Sequence, residues 1–255
     1  MSGTMTENQT VVVAGGARGL GLAIARRFAR AGAMSVIADL DRQAGEQAVM
    51  RLLEDGLAAA FEPLDVREPR QSLALVERVV AQHGAIDVWV NCAGAPQSRR
   101  AETMPLMAWD DSLATSLSGA FYCAQAVGAH MLGRGRGVIV NVASVSAFQA
   151  IEGRAADSAA MAGLVALTQA LGIEWAARGV RVVGIAPGML TTDIGPSGSA
   201  HGVPAAVYEH RAPMRRLGTA EEIAEAAFFV ASDEAAFIVG ETMRVDGGWA
   251  AYQLF

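Results

Sequence analysis

Three glycines near the N-terminus have the spacing of a loop that holds a phosphate group. Gly15, Gly19 and Gly21 follow a short apolar run and open a helical pattern. Glycines allow a tight turn and a close backbone approach, which places a pyrophosphate at the positive end of the helix. The next apolar run ends at Asp39, about 20 residues further on, where a carboxylate can accept hydrogen bonds from ribose hydroxyls. The spacing therefore predicts a dinucleotide-binding site.

The charge of Asp39 favours one dinucleotide over the other. Its carboxylate would repel the 2′-phosphate of NADP, so the sequence predicts NAD. Arg18, inside the glycine loop, and Arg42 could pair with that phosphate. NADP therefore remains the alternative.

Short β-rich runs alternate with longer helical stretches, which is typical of a parallel sheet with crossover helices. We predict strands at 10–14, 34–39, up to about 65, 87–91, 138–143, 180–186 and 242–245. Helices are predicted from the glycine loop to about 31 and at 42–55, 68–83, 108–132, 157–178 and 220–231. We expect one doubly wound α/β Rossmann domain over 1–255, with about seven parallel strands, helices on both faces and ligands at the carboxyl ends of the strands. The irregular segment 189–216 is expected to lie over that site as a mobile lid.

Composition limits the partners and the compartment. The 255 residues carry a net charge of −6, which disfavours nucleic acid because phosphate binding needs clustered positive charge. No basic N-terminal segment and no apolar run near ~20 residues occur, so we expect a cytoplasmic protein without a membrane span. Cys92 and Cys123 are predicted to be reduced thiols, and no metal site is predicted.

Several motifs in one order resemble those of the classical short-chain dehydrogenase/reductase family. Residues 14–21, which include Arg18 and Leu20, are similar to its T-G-x-x-x-G-x-G loop, with Ala14 in place of Thr. Further matches are Asp65-Val66, Asn91-Cys92-Ala93-Gly94, Pro187-Gly188-Met189-Leu190-Thr191-Thr192, Arg216-Leu217-Gly218-Thr219 and Val245-Asp246-Gly247-Gly248. The resemblance covers nearly the whole chain. The resemblance implies that Asp65 and Val66 contact the adenine of the cofactor. It implies that the backbone of Asn91, Ala93 and Gly94 lines the adenosine ribose. After the turn Pro187-Gly188, the Leu190 backbone and the Thr192 side chain would contact the nicotinamide carboxamide.

The residues expected to carry the chemistry do not match this family. Its members resemble one another in an Asn–Ser–Tyr–Lys tetrad, with Tyr and Lys spaced Y-x-x-x-K on the helix after the fifth strand. Ser144 occupies the Ser position, and Ser116 stands at the Asn position. Asp157 stands at the Tyr position and Met161 at the Lys position. The sequence thus predicts a degenerate tetrad.

Loss of the Tyr–Lys pair would remove the usual route for a proton. A tyrosine has a reference pKa near 10, and a neighbouring ammonium lowers it by favouring the phenolate. Met161 has neither charge nor donor, and a carboxylate at Asp157 would oppose carbonyl reduction. All 20 basic residues are Arg, so no other lysine can substitute. Arg154 could serve only as an electrostatic partner of Asp157. Asp157 itself also fits the N-cap position of a helix.

Three functions are therefore compatible with the sequence. The leading hypothesis is an NAD(H)-binding protein that is inactive alone and serves as the non-catalytic subunit of a hetero-oligomer with an intact paralogue. The alternatives are an NAD(H) sensor and an active redox or non-redox enzyme that uses Ser144 with Asp157 or with a lid residue such as Tyr208, His201 or His210. No motif identifies the substrate.

A homo- or hetero-oligomer, with a tetramer as the leading form, is also implied by the resemblance. The helices at 108–132 and 157–178 resemble those of the family's tetramer interface. On the second helix, a small-residue face would allow close approach: Ala159, Ala160, Gly163 and Ala166. The apolar C-terminal segment 249–255 is predicted to pack either across a subunit boundary or within its own chain.

Overall fold

Apolar strands buried on both faces form the central sheet, as expected where helices cover each side. In this computed structural model, residues 9–95, 98–193, 199–200 and 203–251 are described. The strands are β1 Thr10–Ala14, β2 Met34–Asp39, β3 Ala59–Pro63, β4 Val88–Asn91, β5 Gly137–Val142, β6 Val180–Pro187, β7 Ser199–Ala200, β8 Val203–Pro204 and β9 Thr242–Val245. Seven of them form one parallel sheet in the order β3-β2-β1-β4-β5-β6-β9, and β7 pairs with β8 antiparallel.

Helices pack on both faces of this sheet. They are α1 Gly19–Arg30, α2 Arg42–Glu54, α3 Pro69–His83, α4 Leu106–Leu113, α5 Gly119–Arg134, α6 Ala155–Ala176, α7 Ala205–Arg211 and α8 Ala220–Ala231. One core cluster joins the sheet to α1, α2 and α8, and includes the fully buried Phe28 and Leu52. A second cluster joins it to α3, α5 and α6, and includes Leu75 and Val127. The predicted doubly wound Rossmann fold is confirmed.

The strand order changes direction at β1, which pairs with β2 on one side and β4 on the other. In a doubly wound sheet the loops that follow such a pair of strands diverge to opposite faces and leave a crevice. The glycine loop after β1 and the Cys92–Ala95 segment after β4 border that crevice. The fold therefore places the predicted nucleotide motifs at one edge of the sheet.

Two predicted helices differ in their details. The helix predicted at 108–132 starts at Leu106 and contains a π-helical turn, Ala114–Ser118, between α4 and α5. Such a turn holds an extra residue and often occurs at functional sites. Helix α6 begins at Ala155 with Arg154 as N-cap, so the N-cap interpretation of Asp157 is wrong. Asp157 lies within the first turn, where the helix dipole favours a negative charge.

Helix α6 is long and apolar enough to be considered as a membrane-spanning helix. Among the described residues it alone has the length and hydropathy that such a span requires. A core helix of a soluble protein passes the same test, so this is weak evidence. In the fold, Leu164, Leu171 and Trp175 of α6 are buried, which is the placement of a core helix.

Candidate functional site

The glycine loop brings β1 and the β4 loop into direct contact. Gly15 has φ +80°, and a Cβ there would lie 2.6 Å from the Ala93 backbone nitrogen. A Cβ on Gly21 would collide with the Gly15 carbonyl oxygen. Gly19 has φ +51°, and no atom lies within 4 Å of its Cβ position. Gly15 and Gly21 thus permit the loop to close, while Gly19 leaves open space at the start of α1.

Asp39 connects the end of β2 to the glycine loop. The Ala17 N–H donates to Asp39 Oδ2 and the Asp41 N–H to Asp39 Oδ1, each at 3.0 Å. Arg18 pairs with Asp41 at 2.6 Å, and Arg42 pairs with Glu46 at 3.1 Å. A backbone hydrogen bond from Ala44, followed by the Arg18 pairing, lowers the pKa of the Asp41 carboxyl. Both arginines that could meet a 2′-phosphate therefore already contact carboxylates.

The predicted adenine-binding pair lies beside an arginine that sequence reasoning missed. Arg67 Nη2 lies 2.7 Å from Asp65 Oδ2, and Arg67 Nη1 lies 3.0 Å from Asp111 Oδ1. The hydrogen bonds from Arg67 hold the pKa of the Asp65 carboxyl below its usual value. Arg67 is adjacent to the motif in sequence, but no spacing rule indicated its contact with Asp111, which depends on the fold.

The Asn91 side chain points into the interior and not into the cofactor crevice. Its Nδ2 donates to Asn141 Oδ1 at 2.8 Å, and its Oδ1 accepts from Trp89 Nε1 at 2.7 Å. Asn141 Nδ2 in turn donates to Thr168 Oγ1 at 2.9 Å. This buried network connects β4, β5 and α6, and because its partners lie far apart in sequence, pattern analysis missed it.

Two adjoining clefts collect nearly all of the predicted site residues. The first follows the ends of β1, β2 and β4 and is lined by Gly15, Arg18, Asp39, Asp65, Val66, Ala93 and Gly94, among others. The second extends toward α6 and β6 and is lined by Arg18, Gly19, Leu20, Ala93, Gly94, Ser116, Ser144, Asp157, Met161, Pro187, Gly188, Leu190 and Thr192, among others. Of the predicted residues only Gly21, beneath Gly15, and Asn91, in the interior, line neither cleft. The first cleft has the place expected for adenosine and the second the place expected for nicotinamide and substrate.

Asp157 is held by an ion pair inside the second cleft. Its Oδ2 accepts from Arg154 Nη2 at 2.9 Å and Nε at 3.3 Å, and from Ser146 Oγ at 2.9 Å. The side chains of Arg154 and Asp157 are only 11% and 4% exposed. The sequence suggested Arg154 as an electrostatic partner, but it gave no sign of Ser146.

The other tetrad positions lie near Asp157 in the same cleft. The Ser144 Oγ accepts a hydrogen bond from the Ser146 N–H at 3.2 Å and so caps a short 3-10 turn. Ser116 lies in the π-helical turn, where its Oγ accepts from the Ala95 N–H at 3.4 Å. Met161 is buried. Two hydroxyls, a carboxylate–guanidinium pair and a thioether thus surround the expected reaction position.

Segment 189–216 is described only in part, and His201 lies outside the described residues. Tyr208, on α7, is buried and stacks on Trp249 with ring centroids 5.8 Å apart. The His210 ring contacts Arg215. Neither Tyr208 nor His210 lines the second cleft. The Trp249 contact lies within the chain, whereas residues 252–255 of the C-terminal segment lie outside the described part.

The small-residue face predicted on α6 is only partly available. Ala159 and Ala166 are exposed, but Ala160 is fully buried in the core. A Cβ on Gly163 would lie 2.8 Å from Leu117 Cδ2, so this glycine allows a close contact inside the subunit. Of the predicted small-residue face, only Ala159 and Ala166 are thus exposed on this subunit, and its part in an oligomer stays a prediction.

Comparisons with known proteins agree with this architecture. A family model described as "Enoyl-(Acyl carrier protein) reductase" matches residues 15–250. D-threitol dehydrogenase of Mycolicibacterium smegmatis is 37% identical, over 95% of this chain and 93% of that protein. 3beta-hydroxysteroid dehydrogenase 1 of Eggerthella lenta is 36% identical, over 98% and 96%.

Solved structures give the same result in three dimensions. The crystal structure of gox2181 superposes with a TM-score of 0.90 and 31% identity, covering 97% of each chain. A short chain dehydrogenase from Bacillus anthracis superposes with a TM-score of 0.88 and 32% identity, covering 97% of this chain and 99% of the other. With the fold, the order of the motifs and these relatives in agreement, the chain belongs to the short-chain dehydrogenase/reductase family of oxidoreductases.

Proposed function

We propose that this chain binds NAD(H) but does not catalyse hydride transfer alone, and that it acts as the non-catalytic subunit of an oligomer with a catalytically intact family member. The observation that carries the proposal is the buried Arg154–Asp157 pair at the position where the family has its tyrosine. The family as a whole uses nicotinamide cofactors, which supply or accept the hydride. The preference for NAD and the lack of activity are specific to this proposal.

The glycine loop and the first cleft fit the NAD cofactor. Gly19 leaves open space at the α1 N-terminus, where a pyrophosphate would meet the positive end of the helix dipole. The Asp39 carboxylate has lone pairs left for ribose hydroxyls, because each oxygen accepts one backbone N–H. Asp39 and the carboxylate-paired Arg18 together favour NAD over NADP.

The described lining of the second cleft supports the proposed lack of a proton donor for carbonyl reduction. Asp157, as a carboxylate, only accepts hydrogen bonds, and Arg154 stays protonated. Ser144 Oγ and Ser116 Oγ each accept a backbone N–H; each hydroxyl keeps its own O–H, but an alcohol is a far weaker acid than the phenol of a tyrosine. Among the described residues lining this cleft there is no Tyr, His or Lys. A positioned acid or base contributes about 10²–10⁴ in rate, which is the loss we expect here.

The proposal of a subunit role also draws on exposed apolar side chains. Met107 on α4, Ile173 on α6 and Phe237, before β9, are at least four-fifths exposed. A second subunit would remove such side chains from water, which is favourable. The partner is expected to supply the catalytic tetrad.

Two measurements on the purified chain test the proposal. Calorimetry should detect NAD⁺ and NADH binding, and assays across alcohols and ketones should detect no cofactor turnover. Robust turnover that Asp157→Ala abolishes would show an active enzyme. Failure to bind NAD(H) would leave only a scaffold.

A third measurement tests the partner. Mixing the chain with the intact short-chain dehydrogenase encoded nearest to it, followed by mass photometry, should yield mixed oligomers. Homo-oligomers alone at micromolar concentration would contradict the subunit role.

A further inference from the structure

The two oxygens of the Asp157 carboxylate are used unequally. Oδ2 accepts all three hydrogen bonds described for this side chain, two from Arg154 and one from Ser146. Within the described part of the chain, no donor lies within hydrogen-bonding distance of Oδ1. The Asp157 side chain is 4% exposed and lines the second cleft, so the cleft is where Oδ1 can find a donor.

The ion pair prevents the carboxylate from rotating to satisfy both oxygens. The guanidinium and the Ser146 hydroxyl hold Oδ2 from two directions, because Ser146 precedes α6 and Arg154 caps it. Oδ1 is not one of the fully buried side-chain atoms that lack a partner, so it opens to the cleft. It is therefore a fixed acceptor that the donor group of a ligand entering the cleft would meet.

Charge and lining restrict the chemistry of that ligand. Arg154 balances the charge of Asp157, so the pair does not demand a cation. The neighbouring walls are mainly apolar, with Val145, Ile151, Met161 and Leu190 lining the same cleft. A neutral molecule with an apolar body and one hydroxyl matches these conditions.

We propose that Asp157 Oδ1 accepts a hydrogen bond from the hydroxyl of a neutral alcohol and that the cleft discriminates against the corresponding ketone. A hydroxyl donates and accepts, whereas a carbonyl oxygen only accepts and would face another acceptor. This inference rests on the proposed function only in placing the alcohol beside the cofactor. It makes Asp157 a specificity residue for the alcohol.

Matched ligands test the discrimination in the unaltered protein. Cyclohexanol, cyclohexanone and cyclohexylammonium differ mainly in the group presented to Oδ1, and ligand-observed NMR can measure each Kd with and without saturating NAD⁺. We expect cyclohexanol to bind at least tenfold tighter than cyclohexanone. Equal binding of the two would overturn the proposal, and so would tighter binding of the ammonium ion.

Asp157→Asn should invert the preference. Because Arg154 and Ser146 both donate, the amide oxygen should take the place of Oδ2 and the amide NH₂ that of Oδ1. The variant then offers a donor and should prefer cyclohexanone.

Ser158→Ala, one residue further along α6 and outside the cleft lining, is the matched control and should retain the alcohol preference. A folded Asn variant that still prefers the alcohol would contradict the assignment. If that variant does not fold, the comparison in the unaltered protein decides.

The same samples separate this inference from the proposed function. NADH fluorescence reports turnover and calorimetry reports NAD⁺ binding. NAD⁺ binding without alcohol preference refutes only the inference. Alcohol preference with turnover, or without NAD⁺ binding, refutes only the proposed function.

Discussion

Arg154 Nη2 lies 2.9 Å from Asp157 Oδ2, in a pair that is almost completely excluded from water. The two residues are three positions apart, with Arg154 as the N-cap of α6 and Asp157 in its first turn. Burial of two charges is costly, and their attraction offsets the cost only while both are present. Loss of either partner would therefore leave an uncompensated charge in the interior.

Breaking this pair from one side should destabilise the fold. Arg154→Met leaves Asp157 buried without its guanidinium, and we expect the free energy of unfolding to fall by about 3–5 kcal/mol. Replacement of both residues, Arg154→Met with Asp157→Leu, should recover most of that loss because no unpaired charge remains. Urea denaturation of the two single variants and the double variant gives the values. Additive losses in the double variant would show that the pair is not coupled.

Reintroducing the family's residues should create activity if their absence causes inactivity. We expect Asp157→Tyr with Met161→Lys, Ser116→Asn and Arg154→Met, the last so that no guanidinium stays buried without its carboxylate, to raise NAD⁺-dependent oxidation of cyclohexanol at least 100-fold above the unaltered chain. That gain is the lower end of the contribution of a positioned acid or base, about 10²–10⁴. Initial rates of NADH formation measure the gain. The matched control carries Phe in place of Tyr at position 157, which keeps the ring but removes the hydroxyl, and should stay inactive. Activity of that control would show that the hydroxyl is not the source of the gain.

The sequence was informative where function depends on local spacing. The glycine loop, the position of Asp39 after β2 and the alternation of strands and helices all depend on neighbours within about 20–30 residues, and the predicted parallel sheet of about seven strands is confirmed. Asn91 was recognised as part of a motif, but its side-chain partner Asn141 comes from another strand. The orientation of such a side chain follows from packing, which no single segment specifies.

Asp157 shows the same limit at the candidate site. The sequence predicts that position 157 departs from the family's pattern and that Arg154 is near it. Burial of the pair and the bond from Ser146 depend on how the β5–α6 connection folds back on α6. The N-cap interpretation failed because it placed the cap of α6 three residues later than Arg154, the real N-cap. Small errors in an element boundary are common, and here one changed the interpretation of a residue's role.

Two glycines of the same loop should respond differently to alanine. Gly21→Ala would place a methyl group against the Gly15 carbonyl, which is backbone and cannot move aside, so we expect a marked loss of thermal stability. Gly19→Ala meets no atom within 4 Å and should cost only about 1–2 kcal/mol for its left-handed backbone. Its methyl group would enter the space where the pyrophosphate approaches, so NAD⁺ affinity should fall at least tenfold. Thermal unfolding and calorimetry on both variants separate the effects, and retained NAD⁺ affinity in Gly19→Ala would contradict the assigned phosphate position.

The Cys92 thiol offers a direct report of cofactor occupancy. Burial, with the nearby Asp39 charge, raises its pKa to about 12. Since only the thiolate reacts, alkylation by iodoacetamide at pH 8 should be about a thousandfold slower than for a free cysteine, and the rate should still rise with pH up to about 12. Cys92 lines both clefts, so bound NAD⁺ should slow the reaction further. Mass spectrometry on Cys123→Ala measures modification of Cys92 alone, and fast labelling of the folded variant would contradict the raised pKa.

Asp39 should determine the preference between NAD and NADP. Its carboxylate lies at the end of β2, and the only arginine in the loop, Arg18, pairs with Asp41 at 2.6 Å. We expect the unaltered chain to bind NAD⁺ at least tenfold tighter than NADP⁺, which corresponds to about 1.4 kcal/mol. Asp39→Ser should reduce this ratio by weakening NAD⁺ binding, because a carboxylate that accepts from the ribose is lost. Adding Asp41→Ala should strengthen NADP⁺ binding, since Arg18 is then released from its partner and can meet the 2′-phosphate.

Calorimetric titration of both dinucleotides into the three proteins gives the ratios. Glu46→Ala, which releases the more distant Arg42, is the matched control for the added charge and should leave the ratio nearly unchanged. Tighter NADP⁺ binding by the unaltered chain would show that Arg18 leaves Asp41 for the phosphate and that Asp39 does not set the preference.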